Sequence, residues 1–278
     1  MIFAALLPVC LSFCQDLGQA TASVKMNSDS EVVPEEVSLA AFQGDFERVK
    51  AWLAGGSATA PRSVNDIDDN GWTLLMCTAT CDAMTPEHVE FARYLISRGA
   101  VLDVKSRGTR RTALHFACMH CREADAALVS VIVAAGANVN LQTIDGETPL
   151  FMIKEAHESM LDVVTTLLRA GTSLDYQDRQ ASIRSFEEHL NSIDRLYAPG
   201  REREDIRAVG TLVASVRAAG SWKAHCRRPH KQILRLRSLV ARGRTRERLA
   251  TTRAIRFVVR QGDNGVVWNI LSYWRETG

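Results

Sequence analysis

The chain has 278 residues, 46% of them hydrophobic and 24% charged, which is the balance of an ordinary globular protein with a sizeable core. Its net charge of +2 hides an asymmetry, because residues 217–278 hold 15 Lys and Arg against 3 Asp and Glu, a charge of +12, and residues 1–216 hold 19 against 29, a charge of −10. Seven cysteines, an odd number in a chain of this length, argue against a disulfide framework and favour reduced thiols.

Residues 1–37 are predicted to be an N-terminal extension that precedes the fold. The apolar stretch MIFAALLPVCLSFC is too short, and too interrupted by Pro8, to span a bilayer, so no membrane span is expected. Two interpretations stay open: a secretory signal peptide with the small residues Ala20–Ala22 for cleavage, or an extension upstream of a start at Met26. No Lys or Arg precedes the apolar stretch and the chain has no N-x-S/T sequon, so the second interpretation and a cytoplasmic or nuclear location are favoured.

Three segments after this extension align with one another: residues 69–103, 107–140 and 144–175. Each begins with a Gly-containing turn and a Thr, continues through a short apolar helix and a polar break, and ends in a longer apolar run closed by Gly and a Val- or Leu-x-Asp/Asn signature. The recurring residues are Thr73, Thr112 and Thr148, and Gly99, Gly136 and Gly171. Residues 38–56 show the second half of the same pattern, so about four repeats are predicted.

Each recurring residue has a local role that a pair of helices needs. A Thr before the apolar run caps the helix by accepting a hydrogen bond from an unpaired backbone N–H. Pro149 directly follows Thr148, at the first helical position, where no N–H is lost. The glycines follow helix ends, where a left-handed residue is required. Helices this short cannot bury their apolar faces alone, so the repeats must stack on one another.

These segments resemble ankyrin repeats, whose pattern opens with G-x-T-P-L-H-x-A and closes with L-L-x-x-G-A-x-V-N. The matching stretches are GETPL at Gly146–Leu150, TALHFA at Thr112–Ala117 and AAGANVN at Ala134–Asn140. The departures are Leu74 and Ala113 in place of the proline, and Met76 and Phe151 in place of the histidine. The resemblance covers roughly residues 38–180 and implies an all-α ankyrin-repeat solenoid, with the repeats assigned to residues 38–179.

The pattern weakens in residues 180–220 and is absent from the basic tail, residues 221–278. The first of these segments has two amphipathic helices around a polar loop and is predicted to be a degenerate repeat that caps the stack. The tail places Ile233, Leu236 and Val240 at helical spacing among arginines, which predicts a basic helical extension. It resembles the tails of algal and protist ankyrin-repeat proteins. Three roles stay open for it: a helical cap, an interaction helix for an acidic partner, and a nucleic-acid contact, which is disfavoured because no base-reading motif is present.

A Cys and His cluster is the one candidate for chemistry, because the nucleotide-binding, kinase, zinc-protease and serine-hydrolase motifs are absent. The cluster consists of His115, Cys118, His120 and Cys121, with Cys77 and Cys81 one repeat earlier. A structural zinc site would need four of these side chains to converge, so the open alternatives are a metal site, a reactive thiol and simple packing.

The ankyrin pattern favours packing for this cluster. In register with it, His115 falls on the histidine that bonds the motif threonine, here Thr112, and Cys118 falls on a small buried position. Cys77 falls on a variable position that is expected to face the concave groove. No metal, no cofactor and no catalytic residue is therefore predicted.

The resemblance implies a non-enzymatic scaffold that binds a protein partner through the concave groove and the loop tips. The expected contact residues lie in the turns before each Thr and at two variable positions after Thr112: Asp69, Asn70, Trp72, Arg107, Arg110, Arg111, Met119, His120, Asp145 and Glu147. Trp72 and the arginines are the expected anchors, since aromatic and Arg side chains dominate interface energies. The alternative is a regulatory adaptor, similar to those of ubiquitin ligases, whose basic tail recruits a second factor or nucleic acid. A monomer is expected.

Overall fold

The computed structural model of the chain describes residues 32–55, 62–81, 83–119, 122–197 and 202–227. The chain divides into two compact units, residues 1–206 and residues 207–278. Most of the predicted N-terminal extension and of the predicted basic tail lie outside the described residues, as do His120 and Cys121. The domain boundaries assigned from the sequence stay predictions.

The first unit is built from successive pairs of helices. The pairs are α1 (Glu35–Gln43) with α2 (Phe46–Ala54), α3 (Leu74–Ala79) with α4 (Pro86–Ser97), and α5 (Ala113–Ala117) with α6 (Glu123–Ala134). The next pair is a 3-10 helix (Pro149–Met152) with α7 (Met160–Arg169), and the antiparallel hairpin of β1 (Asp175–Gln177) and β2 (Ile183–Ser185) then leads into α8 (Phe186–Tyr197). The all-α repeat solenoid expected from the sequence is confirmed, with one short hairpin added.

The first helices of the second, third and fourth pairs are too short to be stable alone. The helices α3, α5 and the 3-10 helix have six, five and four residues, and every one of these residues is buried. Helix α3 packs on α1 before it and on α5 after it, and α5 packs in turn on the 3-10 helix. Because isolated helices of this length are unstable in water, their helical state depends on neighbours on both sides.

The predicted bond between His115 and Thr112 is confirmed. The backbone N–H of Thr112 donates to Nδ1 of His115 over 3.1 Å, and Oγ1 of Thr112 lies 2.8 Å from the same nitrogen. Since Nδ1 accepts, the proton of the neutral ring is on Nε2, which lies 3.4 Å from the carbonyl oxygen of Glu147. The histidine therefore caps its own helix and contacts the next repeat.

Cys77 is buried, and the expectation that it faces the concave groove is wrong. Its side chain is 3% exposed, and Phe116 and Met152 at the equivalent positions are 4% and 0% exposed. The reason is the stacking of these short helices, because each is covered by its neighbours and leaves no exposed face at this position. Cys118 is fully buried, as expected for a small packing residue.

Side chains of the Val- or Leu-x-Asp/Asn signature join one repeat to the next. Asn65 donates through Nδ2 to the carbonyl oxygen of Gly99 over 3.0 Å and accepts from the backbone N–H of Val101 over 2.7 Å. Asn140 makes the same two bonds to a later repeat, over 3.1 and 2.7 Å. Asp103, which has only acceptors, makes the accepting bond alone, over 3.0 Å. The signature is therefore an inter-repeat clamp.

The described part of the second unit begins within α9 (Glu202–Ala219). Val209, Val213 and Val216 are buried along this helix at a spacing of three to four residues, as expected of an amphipathic helix. Residues 222–227 are again helical. No helix among the residues that the structure describes is long and apolar enough to cross a membrane.

Protonation of His115 is expected to destabilise the fold. Burial lowers the pKa of His115 from 6.5 to about 4, so the folded state resists protonation that the unfolded chain accepts below pH 6.5. The stability that this neutral histidine provides is present above pH 6.5 and is lost as the pH falls towards 4, by about 3 kcal/mol. Urea unfolding across this range measures the loss.

The control for this prediction is His115→Gln, which cannot be protonated. We expect it to be less stable than the native chain at neutral pH, because the cap is weakened, but to lose less free energy of unfolding between pH 6.5 and 4. Burial also lowers the pKa values of His88 and His189, and these two residues add the same pH dependence to the free energy of unfolding of both proteins. Parallel pH profiles for the two proteins would contradict the assignment.

Candidate partner-binding surface

Four turns occupy the same position in successive repeats and are named fingers. They are finger 1 (68–72), finger 2 (106–111), finger 3 (143–147) and finger 4 (178–182). In each, the N–H of the first residue donates to the carbonyl oxygen of the last, over 2.9, 2.8, 2.9 and 3.0 Å in order. All the expected contact residues except Met119 and His120 lie in fingers 1 to 3.

A buried carboxylate holds finger 1 in shape. Oδ1 of Asp68 accepts from the backbone N–H groups of Asn70, over 2.9 Å, and Trp72, over 2.8 Å. Burial raises the pKa of the Asp68 carboxyl, and these backbone bonds oppose the rise. Asp69 and Asn70 are exposed, whereas Trp72 is half-buried with its ring 4.8 Å from that of Phe116. Asp69 and Asn70 can therefore meet a partner directly, while Trp72 is partly engaged within the stack.

Fingers 1 and 2 are in contact through Arg107. Its backbone N–H donates to the carbonyl oxygen of Asn70 over 3.2 Å, and its Nη1 donates to that of Asp69 over 3.0 Å. The side chain passes so close to Gly71 that a Cβ there would lie 2.6 Å from Cγ of Arg107. Gly71 also has a φ of 71°, so two separate constraints favour glycine at this position.

Finger 2 holds an exposed arginine in a left-handed conformation. Arg110 has a φ of 58°, whereas fingers 1 and 3 place Gly71 and Gly146 at the equivalent position, and finger 4 places Ala181 there with a φ of 60°. An L-residue in this region costs roughly 1–2 kcal/mol relative to a right-handed conformation. Finger 2 therefore carries a long, charged side chain at a position where glycine would be less strained.

The remaining cations of finger 2 and its flank are close to Arg110 in the chain. Arg107 is exposed, Lys105 and Arg111 are half-buried, and Nε of Arg111 is buried with no acceptor among the described residues. No described carboxylate forms an ion pair with these four side chains. Finger 2 is therefore an uncompensated basic tip.

Finger 3 is acidic and is bound to both neighbours. The backbone N–H of Ile144 donates to the carbonyl oxygen of Thr109 in finger 2 over 2.9 Å. Oδ1 of exposed Asp145 lies 3.2 Å from Nε of Arg179 in finger 4. Glu147 is half-buried and its carbonyl oxygen faces Nε2 of His115. Asp145 is thus already paired, which sequence reasoning did not foresee.

Of the two predicted contact residues outside the fingers, only Met119 is described by the structure. Met119 is half-buried just after α5, in a place where part of its side chain is accessible. His120 lies outside the described residues, so its role stays a prediction.

The hairpin groove, a cavity of about 550 Å³, adds functional candidates that the sequence did not single out. Its lining includes Phe151, Tyr176, Asp178, Arg184, Glu188 and His189. They come from the 3-10 helix, the β1–β2 hairpin and α8, so the groove exists only because three elements meet. The run LDY at 174–176, an aromatic residue just after the repeat signature, is the one sequence signal that pointed to it.

A second groove of about 480 Å³ lies between α2 and α4. The rings of Phe46 and Phe91 stack in it at 4.3 Å, and Tyr94 continues the stack at 5.8 Å from Phe91. Nζ of Lys50 already lies over the Tyr94 ring, 5.8 Å from its centre, and donates to Oε1 of Glu47 over 2.8 Å. The chain's own cation therefore occupies the favourable position above this ring.

The comparisons with known proteins agree with this architecture. The family model for ankyrin repeats matches residues 37–141 in three copies. The chain contains ankyrin repeats. Protein glp-1 of Caenorhabditis elegans is 31% identical over 156 residues, which cover 52% of this chain and 12% of that protein. The human Ankyrin repeat and SOCS box protein 16 is 30% identical over 146 residues, which cover 50% of this chain and 31% of that protein.

The chain thus spans less than a third of the length of either relative. The matched region contains fingers 1 and 2 and ends before finger 3, so the hairpin groove and the basic tail lie beyond the family match. Ankyrin repeats generally mediate protein–protein interaction and are typically non-enzymatic. Residues 37–141 therefore belong to a class of repeats that generally mediates protein–protein interaction.

The described cysteines of the ankyrin repeats are buried. Cys77, Cys81 and Cys118 are buried, and burial raises the pKa of the Cys77 thiol to about 12, which keeps it protonated at neutral pH. Among the residues with described positions, no three Cys, His, Asp or Glu side chains are placed to hold one metal ion. His120 and Cys121, the remaining members of the cluster, lie outside them.

Substitution of Gly71 is expected to test the contact between fingers 1 and 2. Gly71→Ala introduces a left-handed alanine and a Cβ that meets Arg107, whereas Gly99→Ala introduces a left-handed alanine into open space. We expect Gly99→Ala to cost about 1 kcal/mol and Gly71→Ala about 1 kcal/mol more, measured by urea unfolding. Equal losses for the two variants would show that Arg107 moves away without cost.

Proposed function

We propose that this chain is a non-enzymatic scaffold that holds a protein partner on the fingers and the concave groove of its ankyrin repeats. The general role of ankyrin repeats supports a protein partner. A cytoplasmic or nuclear location and a monomeric state belong to the same proposal. The fold hosts many different partners, so the choice of surface must be argued from the side chains.

The conformation of Arg110 is the observation that carries this proposal. Its side chain is exposed, and its backbone has the left-handed conformation that glycine adopts in fingers 1 and 3. Local strain of this kind is retained where surrounding structure holds it in place, and it occurs preferentially at functional sites. The Arg110 side chain forms no ion pair with another described residue, so the fold does not explain why an arginine stands here rather than a glycine. We propose that a contact with a partner is the reason.

The charge of finger 2 supports an acidic contact segment on the partner. Finger 2 and the residue before it carry four positive charges, on Lys105, Arg107, Arg110 and Arg111. None of these side chains forms an ion pair with a described carboxylate. Arginine binds carboxylates through two parallel hydrogen bonds, which adds geometric selectivity to the attraction. Asp69, Asn70 and Trp72 flank this basic tip on finger 1 and would surround it with polar and aromatic contacts.

The variant Arg110→Gly separates binding from folding. It removes the side chain and relieves the left-handed strain, so we expect unchanged or higher thermal stability together with affinity for the partner lowered by about five- to thirtyfold. The partner is first identified by cross-linking to the tagged chain and mass spectrometry, then purified for calorimetric titration.

The charge-matched control is Arg207→Ala, which removes an exposed helical arginine from the second unit. We expect this variant to bind the partner as the native chain does, because Ala is a strong helix former and the residue is far from finger 2 in the sequence. Native affinity in Arg110→Gly would contradict the assignment of finger 2 as the contact surface.

An adaptor role is a second candidate, and the human relative favours it because its name joins ankyrin repeats to a second element, a SOCS box. In this chain the basic tail would take the place of such an element.

Deleting residues 228–278 distinguishes this role from that of a cap. An adaptor tail predicts an unchanged melting temperature and the loss of one bound factor, whereas a cap predicts a lower melting temperature or poor solubility.

A further inference from the structure

The hairpin groove has an aromatic floor that belongs to the stack and an accessible rim. The ring of Tyr176 lies 4.5 Å from that of buried Phe151, and the ring of His189 lies 5.5 Å from Phe151 on another side. Tyr176 and His189 are half-buried, so each still presents surface to the groove that it lines. The groove therefore offers aromatic surface without needing to be opened.

The two arginines of the groove are neutralised by their own partners. Arg179 donates through Nε to the carbonyl oxygen of Ile144 over 2.7 Å and lies 3.2 Å from Asp145. Arg184 donates to Oδ2 of Asp178 over 3.0 Å. Each guanidinium thus has a carboxylate of its own within hydrogen-bond distance, and Glu188 acts on Arg184 only through a weaker electrostatic interaction.

Two carboxylates near the groove lack such partners among the described residues. Glu188 lines the groove and is exposed. Its backbone N–H donates to Oγ of Ser185 over 3.3 Å and its carbonyl oxygen accepts from Oγ of Ser192 over 3.0 Å, but its carboxylate forms no ion pair among the described residues. Glu147, in finger 3, is close enough to act electrostatically on both Tyr176 and His189. The lining holds three carboxylates, those of Asp145, Asp178 and Glu188, against the two guanidinium groups of Arg179 and Arg184, so the groove has an excess of one negative charge.

His189 adds a neutral acceptor to this surface. Its Nε2 lies 2.6 Å from the carbonyl oxygen of Ile153, so Nε2 must carry the proton and Nδ1 has a free lone pair. Burial lowers the pKa of His189, which favours this neutral form and removes a competing positive charge.

We propose that the hairpin groove binds an arginine side chain of the protein partner. This inference rests on the proposed function in that it presupposes a protein partner, but it uses different residues from finger 2. A guanidinium is flat and can stack on the Tyr176 ring while its edge donates to acceptors such as the Glu188 carboxylate. A lysine ammonium fits less well, because it is a strongly hydrated point charge that offers no flat face.

The partner therefore needs one basic and one acidic recognition element. Backbone bonds join fingers 1, 2 and 3 in order, so finger 2 and the groove edge formed by Asp145 belong to one continuous row. A segment crossing this row would place an acidic residue at finger 2 and its arginine at the hairpin groove.

A library of random dodecapeptides displayed on phage, selected on the full chain, tests this inference. We expect arginine to be enriched at one position, and we expect the best peptide, made synthetically, to lose at least about tenfold in affinity when its arginine is replaced by neutral, isosteric citrulline. Replacement by lysine should cost less than replacement by citrulline but weaken binding measurably.

Variants of the chain then locate the site. We expect Glu188→Gln to weaken binding of the peptide by about fivefold and Tyr176→Leu to weaken it further, whereas Glu158→Gln, an equal charge change at an exposed residue outside the groove, should have no effect. Melting temperatures of the variants verify that each is folded.

The outcomes that overturn the inference are distinct from those that overturn the proposed function. The inference is contradicted if arginine is not enriched in the selected peptides. It is also contradicted if Glu188→Gln and Tyr176→Leu leave peptide binding unchanged. If the same peptide then responds to Arg110→Gly, the proposed function survives and the groove is not the arginine site. Self-association of the chain that Glu188→Gln abolishes would assign the groove to a second copy instead.

Discussion

The instability of helices of four to six residues is the constraint on which the first unit depends. Helices α3 and α5 and the 3-10 helix cannot persist in water alone, and each is buried completely by what precedes and follows it. Contacts between repeats are therefore conditions for the helices within each repeat. The Asn65 and Asn140 clamps and the contact from His115 to Glu147 supply such links through side chains.

This mutual support gives the fingers their fixed shape. A turn joined by backbone bonds to the turns on either side cannot relax independently, so finger 2 can hold Arg110 in a left-handed conformation and keep Arg107 across Gly71. Recognition residues on loops that a rigid scaffold positions are a common arrangement in binding proteins.

The row of fingers changes sign along its length. Finger 2 has unpaired cations, finger 3 has carboxylates, and finger 4 carries one arginine, Arg179, that is already paired with Asp145. On the proposed function, such alternation would orient an extended partner segment in one direction, since reversing the segment would bring like charges together. The aromatic floor under finger 4 adds a contact that does not depend on salt, unlike the exposed charges.

The sequence by itself determined the repeat period, because the same residues recur in successive segments, and the helix starts at Thr73 and Thr112, because a helix cap depends on residues within a few positions of it. The resemblance to ankyrin repeats implied the bond between His115 and Thr112 and the location of finger 2 with its arginines. Only the tertiary structure decided that Cys77 is buried, that Asp145 is paired with Arg179 and that the hairpin groove exists. These features arise where one repeat meets the next, and no local pattern states how two surfaces from different parts of a chain will cover or pair with each other.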